Sequence, residues 1–346
     1  MGLKLSALRK KHESKIQGYS TFCFQNDKFG NYIKGDHETE GGEADLHKYL
    51  VSCKKNSGHR QFIPVDTFTL KHLPEGHHDK DLYELIKAIA DLTVRIDVKI
   101  ISPHRAHFWP KTARPYPFSK MSDKRIFRTG SGRVWHVNKF QDGIKLNGNI
   151  DSEFQMCSCR KCQDSDTPNN VWWEFGVDTA THVVFDNTEA NQTTLRLFFD
   201  RDNSPVANID KVSVYHVNIE YDMCKLKCVT CDANLGNKLM EMWRQYFNIW
   251  EKVFDKYCDS RSKHKLNFIV SHPHECCKQV SVGQWNKKHK VDDKTKFTYT
   301  TCTCPGSSGA HVYCVGYNEG MWWMYDLVHS GSLKSGINYS GTGYVY

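Results

Sequence analysis

The sequence predicts a mainly β protein, a sandwich or barrel, carrying one long amphipathic helix and a smaller helical segment ahead of the strands. Three observations predict it. From Leu92 onward, short apolar–polar alternating runs recur with turn residues between them. A single break interrupts them, where Leu239, Trp243, Tyr246, Trp250, Val253 and Tyr257 follow one another in steps of three and four. Ahead of the strands, Leu82, Leu85, Ile86 and Ile89 repeat at helical spacing behind Asp79, a residue suited to cap a helix.

Along the chain, residues 35–45 are acidic and glycine-rich, a loop or linker. A helix is expected over 79–90. Strands follow near 92–98, 126–137, 171–184, 193–200 and 211–221, then the amphipathic helix over 235–258. Further strands are expected at 266–271, 279–285, 296–302, 311–317 and 322–329. The aromatic stripe of the long helix is read as core packing rather than a ligand box. No internal repeat or low-complexity tract is visible.

With 346 residues, 39% hydrophobic and 25% charged, the composition is that of an ordinary globular protein large enough to bury a core. No apolar run approaches the length of a membrane span, and the first residues lack the apolar core of a secretory signal. The net charge of +8 is uneven. Lys4, Arg9, Lys10, Lys11 and Lys15 stand against Glu13 alone in the first sixteen residues, which makes an attached basic arm. The rest shows no basic stripe, so nucleic acid is not an expected partner. Met1-Gly2-Leu3-Lys4-Leu5-Ser6 fits the pattern for acylation at Gly2, and the basic arm is the usual second signal for a membrane surface. The expected location is cytoplasmic, with membrane association through this arm.

The chemistry-bearing residues lie among the strands. Cys304-Pro305-Gly306-Ser307-Ser308-Gly309-Ala310 is a glycine-rich turn between two β runs. A serine hydroxyl becomes a useful nucleophile when a base takes its proton and backbone N–H groups stabilise the oxyanion. A turn of this kind can supply the N–H groups of Gly306 and Ser308. His182, after Asp178-Thr179-Ala180-Thr181, sits at a strand end, and Asp222 follows the run Val217 to Tyr221.

In this order, with gaps of 40 and 86 residues, His182, Asp222 and Ser308 resemble the catalytic set of the trypsin-like, chymotrypsin-fold serine peptidases. Arg128-Thr129-Gly130-Ser131-Gly132-Arg133-Val134 looks like the early glycine-containing strand of that family. Val328-His329-Ser330-Gly331, with Gly336-Ile337-Asn338, looks like its pocket-lining strand. The resemblance covers residues 90–346. It implies two six-stranded antiparallel β-barrels, the first over about 90–232 and the second over about 262–346, joined by the helix 235–258. Residues 1–89 would be an N-terminal, helix-containing extension. It implies a serine endopeptidase acting on protein or peptide substrates through an acyl-enzyme, with Ser308 as nucleophile, His182 as general base then acid, and Asp222 orienting the imidazole. Catalysis of this type needs no cofactor.

The departures narrow the branch. Ser307 stands where digestive members carry an aspartate that pairs with a newly released N-terminus, so the chain resembles the non-zymogen intracellular, bacterial and viral branches. Ala310 replaces the usual glycine, and Thr181 replaces a small residue. Thr303 and His329 match positions that bind a glutamate side chain in glutamate-specific relatives, implying a preference for Glu or Gln before the scissile bond. Two other classes stay open: a catalytically inactive chymotrypsin-like binding or scaffold module, and a thiol-rich metal- or nucleic-acid-binding protein. The intact residue set argues against the first and the modest charge of the body against the second.

Fourteen cysteines are many for a chain without a secretory signal, and thiols or metal ligands are the expected forms. Cys157, Cys159 and Cys162 form one cluster; Cys224, Cys228 and Cys231 form another. The expectation is one structural zinc drawn from Cys157, Cys159, Cys162, Cys228 and Cys231, against buried thiols or disulfides as rivals. His272-Pro273-His274-Glu275-Cys276-Cys277 reads as a polar loop rather than a further donor.

Overall fold

The computed structural model describes residues 35–36, 53, 55–121, 127–146, 154–318, 326–333 and 336–345. The expected acylation at Gly2 and the basic arm lie outside the described residues. No described helix is long and apolar enough to cross a membrane.

The protein is mainly β, built from two antiparallel sheets. Strands β1 (Gly35–Asp36) and β2 (Ile63–Pro64) come first, then helix α1 (Lys80–Leu92). One sheet is made by β3 (Thr93–Val98), β4 (Arg128–Gln141), β5 (Ile144–Lys145), β6 (Val171–Thr179), β7 (Thr193–Leu197), β8 (Ala207–Ile209), β9 (Val212–Asn218) and β10 (Met223–Thr230). Helix α2 (Ala233–Tyr257) leads to the other, made by β11 (Leu266–Ser271), β12 (Gln279–Val291), β13 (Lys294–Tyr299), β14 (Val312–Cys314), β15 (His329–Leu333) and β16 (Asn338–Ser340). Among the described residues each sheet has eight strands rather than six. The shortest lie at the margins: β5 pairs with β4 over two residues and β8 with β7 over three, while β1 and β2 add to β15 and β12 of the second sheet.

The helices form where their residues dictate. Asp79 caps α1, accepting from the N–H groups of Asp81 (2.8 Å) and Leu82 (3.2 Å), and Leu82, Leu85, Ile86 and Ile89 are buried along one face. Asp232 caps α2 by accepting from Leu235 N–H at 3.0 Å. The stripe of α2 is core: Leu239, Tyr246, Trp250, Val253 and Tyr257 are buried. Asp79 also joins the two helices, because Lys256 pairs with it and Tyr257 donates to it at 3.2 Å. One apolar cluster includes α1, α2, Val94 and Ile96 of the first sheet and Phe268 and Val270 of the second.

Strand β10 was not among the expected strands. Lys225, Lys227, Cys224 and Cys228 obscure its alternation, yet Cys224, Lys225 and Cys228 are buried between β6 and β9. Tertiary context overrides the polar pattern, since the Lys225 ammonium is neutralised by Asp178 at 2.8 Å.

Replacing Asp79→Ala removes the α1 cap and its link to α2. Thermal unfolding should show a loss of about 1 kcal/mol, a fall in Tm of a few degrees, with the far-ultraviolet spectrum of the folded protein unchanged.

Candidate functional site

Strand register brings His182 to Asp222. β6 and β10 run antiparallel with Thr179 opposite Cys224, so the chain leaving β6 and the chain entering β10 meet at the same end of the ladder. His182 lies three residues past that pair on one side and Asp222 two residues before it on the other. His182 Nδ1 bonds the Asp222 carboxylate at 2.8 Å to Oδ2 and 3.0 Å to Oδ1, and its backbone N–H donates to Oδ1 at 3.1 Å. Asp222 has φ 53°, a left-handed conformation that aspartate tolerates, and this closes the β9–β10 turn. Thr181 uses its hydroxyl to hold this turn, donating to Met223 O at 2.7 Å, with Asn218 O at 3.1 Å.

The second sheet reaches the same carboxylate. Ser330, at the start of β15, donates to Asp222 Oδ2 at 2.5 Å. The neighbouring His329 exchanges backbone bonds with the serine turn: Gly309 N–H donates to His329 O (2.9 Å) and His329 N–H to Ala310 O (2.7 Å). Ser131 of β4 holds the turn from the other sheet, its N–H donating to Ser308 O at 2.8 Å and its hydroxyl to Gly306 O at 2.8 Å. Ser308 is fully buried, and its Oγ has no hydrogen-bond partner among the described residues.

The turn needs its glycines. Gly306 has φ 93°, and a Cβ there would lie 2.4 Å from His272 O; Gly309 has φ 81°, and a Cβ would lie 2.1 Å from Thr179 Oγ1. The N–H groups of Ser307, Gly309 and Ala310 are used by backbone carbonyls, whereas among the described residues those of Gly306 and Ser308 donate to none. Ser307 accepts from Cys304 N–H at 3.2 Å and bonds Ser271 Oγ at 3.1 Å, so it braces the loop.

The two residues expected to bind a substrate side chain have separate partners. His329 is buried, and its Nδ1 bonds Tyr299 OH at 2.6 Å. Burial, then the nearby Lys55 and His182, hold its pKa well below the ordinary histidine value, so the ring is neutral. Thr303 accepts at Oγ1 from Lys55 Nζ at 2.9 Å, and the same ammonium bonds Ser332 Oγ at 2.5 Å and Asn338 Oδ1 at 3.0 Å. Lys55, from the N-terminal extension, is a partner of Thr303 that sequence reasoning missed. Nothing local marks a lysine that lies 248 positions from its partner.

A second missed feature supports the histidine turn. Buried Glu189 is bonded by Arg105 at 2.7 and 2.8 Å and by Arg128, and it accepts backbone N–H groups from Ser102 (2.9 Å) and Phe185 (2.8 Å). Arg105 also donates to His182 O at 3.0 Å, and Arg128 to Val183 O at 3.1 Å. Burial alone would raise the Glu189 pKa, but the two guanidiniums outweigh it and hold it below the usual value. Burial, with Arg105 beside it, brings Arg128 down to about 9.

The thiols sort differently from the expectation. Cys157, Cys159, Cys162 and Cys231 have their sulfurs within 4.8 Å of one another, with Cys159 to Cys231 at 3.5 Å. Backbone N–H groups point at two of them, Cys159 N to Cys157 Sγ (3.4 Å) and Asn169 N to Cys162 Sγ (3.5 Å). Cys228, expected as a fifth ligand, is not part of this group. It is buried in the main apolar core, where burial alone raises its pKa, because its β10 side chain faces away from the cluster's separate small core. Every cysteine among the described residues is a free thiol.

No family model matches the chain, and no curated protein matches it. Among solved structures it is similar to a variant of the HtrA-type protease AlgW with a decapeptide, at 10% identity over 74% of this chain and 61% of that one, with a TM-score of 0.36. It is also similar to AlgW with a tripeptide, at 10% identity over 76% and 60%, with a TM-score of 0.38. The chain spans about three-fifths of the length of these structures.

Replacing Glu189→Gln leaves Arg105 and Arg128 buried against a neutral amide, and breaking a buried pair costs about 3–5 kcal/mol. Because the Glu189 pKa is depressed, its contribution is complete above the ordinary value of 4.5 and is lost as the pH falls through the lower folded value. Denaturant titrations from neutral to acid pH should show this decline in the wild type and a flatter, lower profile in Glu189→Gln.

Proposed function

We propose that the protein is a serine endopeptidase that cleaves protein or peptide substrates through an acyl-enzyme at Ser308. The observation that carries this reading is the hydrogen-bonded path from Ser330 through Asp222 to His182 Nδ1, beside a serine turn with two uncommitted N–H groups. In this chemistry the Asp222 carboxylate accepts a hydrogen bond from Nδ1–H, so Nε2 is the basic nitrogen that takes the Ser308 proton as Oγ attacks the carbonyl. Gly306 and Ser308 N–H groups stabilise the oxyanion. The imidazolium then protonates the leaving amine, and water, activated by the same nitrogen, releases the acid.

Substrate preference follows from the pocket. In the tautomer that carries its proton on Nε2, His329 accepts from Tyr299 OH at Nδ1 and can donate to a carboxylate or amide oxygen. Thr303 adds a hydroxyl, and the Lys55 ammonium adds positive charge. This favours Glu or Gln before the scissile bond and opposes Lys or Arg.

One observation favours a second reading, a catalytically silent binding module: His182 and Ser308 are both fully buried, so a substrate has no open route to Oγ. A fluorophosphonate probe separates the two. Covalent labelling that disappears in Ser308→Ala supports the peptidase, whereas a folded wild type that stays unlabelled supports the module. In the peptidase, Ser308→Ala, His182→Ala and Asp222→Asn should each lower kcat by about 10³-fold or more, with effects that do not multiply in combination. In a peptide library, cleavage should concentrate after Glu and Gln; cleavage confined to Lys and Arg would reject the pocket assignment.

The four sulfurs of Cys157, Cys159, Cys162 and Cys231 are proposed to hold one structural zinc. Cys159→Ser/Cys231→Ser, which disrupts this cluster alone, should lower thermal stability more than it alters the covalent labelling of Ser308. The N-terminal basic arm is proposed as a membrane-surface contact, with acylation at Gly2.

A further inference from the structure

We propose a second metal site, of Cys2His2 type and suited to zinc, formed by Cys53, His59, His274 and Cys304, which clips the N-terminal extension onto the loop that leads to Ser308. The four donor atoms lie within 4.8 Å of one another. His59 Nε2 and His274 Nε2 are 3.0 Å apart, His59 Nε2 and Cys304 Sγ 3.4 Å, and Cys53 Sγ and Cys304 Sγ 3.7 Å. Tetrahedral zinc, with Zn–N of about 2.0–2.1 Å and Zn–S of about 2.3 Å, requires edges of about 3.3 Å between nitrogens, about 3.5 Å between nitrogen and sulfur and about 3.8 Å between sulfurs. The measured edges follow the same order and agree to within about 0.3 Å. Two soft sulfurs and two imidazoles in this arrangement favour zinc over cations that prefer oxygen.

The surroundings fit a bound cation. The two Nε2 atoms approach each other at the shared centre. Asn56 donates to Cys304 Sγ at 3.0 Å and to Thr303 O at 2.7 Å, the outer-shell support expected of a thiolate ligand. His274 adopts φ 50°, ψ 38°, and Glu275 follows at φ 57°. Left-handed conformations in such residues are strained and persist where the surroundings impose them. A metal bond at Nε2, with the His274 N–H donated to Pro305 O at 2.5 Å, is such an imposition.

The site joins distant parts of the chain. Cys53 and His59 come from the extension, His274 follows β11, and Cys304 lies two residues before Gly306 and four before Ser308. Lys55 sits between the two extension ligands, so the clip also delivers its ammonium to Thr303, Ser332 and Asn338. This last consequence rests on the peptidase reading; the metal site itself does not.

The test uses the full-length protein purified with zinc and without chelator. Elemental analysis should show Cys53→Ser/His59→Asn losing one zinc per chain relative to the wild type. Cys159→Ser/Cys231→Ser, which alters the other cluster, should retain that zinc. In the wild type, Cys53 and Cys304 should resist alkylation until a chelator is added, as read by peptide mass spectrometry, and this arm does not depend on a variant folding. Unchanged zinc content in Cys53→Ser/His59→Asn, alkylation of Cys53 at the same rate with and without chelator, or a Cys53–Cys304 disulfide in the purified protein would each overturn the proposal. Every readout is independent of peptidase activity, so loss of either idea leaves the other standing.

Discussion

The arrangement of the site depends on one buried carboxylate. Asp222 accepts from His182 backbone N–H, His182 Nδ1 and Ser330 Oγ, joining the histidine turn of the first sheet to the β15 strand of the second. Hydrogen bonds to an ionised group contribute roughly 1.5–3 kcal/mol each, and a buried carboxylate left unsatisfied costs as much or more. The β9–β10 turn, the Thr181 hydroxyl and the start of β15 therefore have little freedom to move independently. The serine turn is held from the same two directions, by Ser131 of β4 and by the backbone of His329.

Much of this was legible in the sequence because the signals are local. Asp79 with its apolar repeat marks α1, the stripe from Leu239 to Tyr257 marks α2, and 266–271 coincides with β11. His182, Asp222 and Ser308 were singled out by the family resemblance, and the His182–Asp222 bond is the part of that set present in the hydrogen bonds. Strand β10 was hidden because its charge is compensated across the sheet, at Lys225 and Asp178, where no window of sequence can show it. Glu189, Arg105 and Arg128 were silent for the same reason: an ion triad spanning 84 positions looks like three solvated residues until the chain is folded.

The thiols show the limit of spacing arguments in both directions. Cys157, Cys159 and Cys162 are close in sequence and meet in space, but their fourth partner is Cys231 and not Cys228. Alternation along β10 sends Cys228 into the main core, while Cys231 lies past the strand end, where the chain is free to turn toward the cluster. Cys304 seemed only the first residue of a serine turn, and His274 only part of a polar loop. Both acquire neighbours from residues 53–59, a segment that neither periodicity nor the family resemblance accounts for. The extension is thus structurally continuous with the second sheet, through β1 on β15 and β2 on β12 as well as through these side chains.

The claim at the centre of the account is that Asp222 holds the His182 ring through Nδ1. Proton magnetic resonance in water reads this bond directly, since an imidazole N–H donated to a buried carboxylate resonates far downfield of the amide envelope and is slow to exchange. The account predicts such a signal in the wild type, retained in Ser308→Ala and lost in Asp222→Asn. A wild type with no downfield signal across the stable pH range, or a signal that survives in Asp222→Asn, would contradict it.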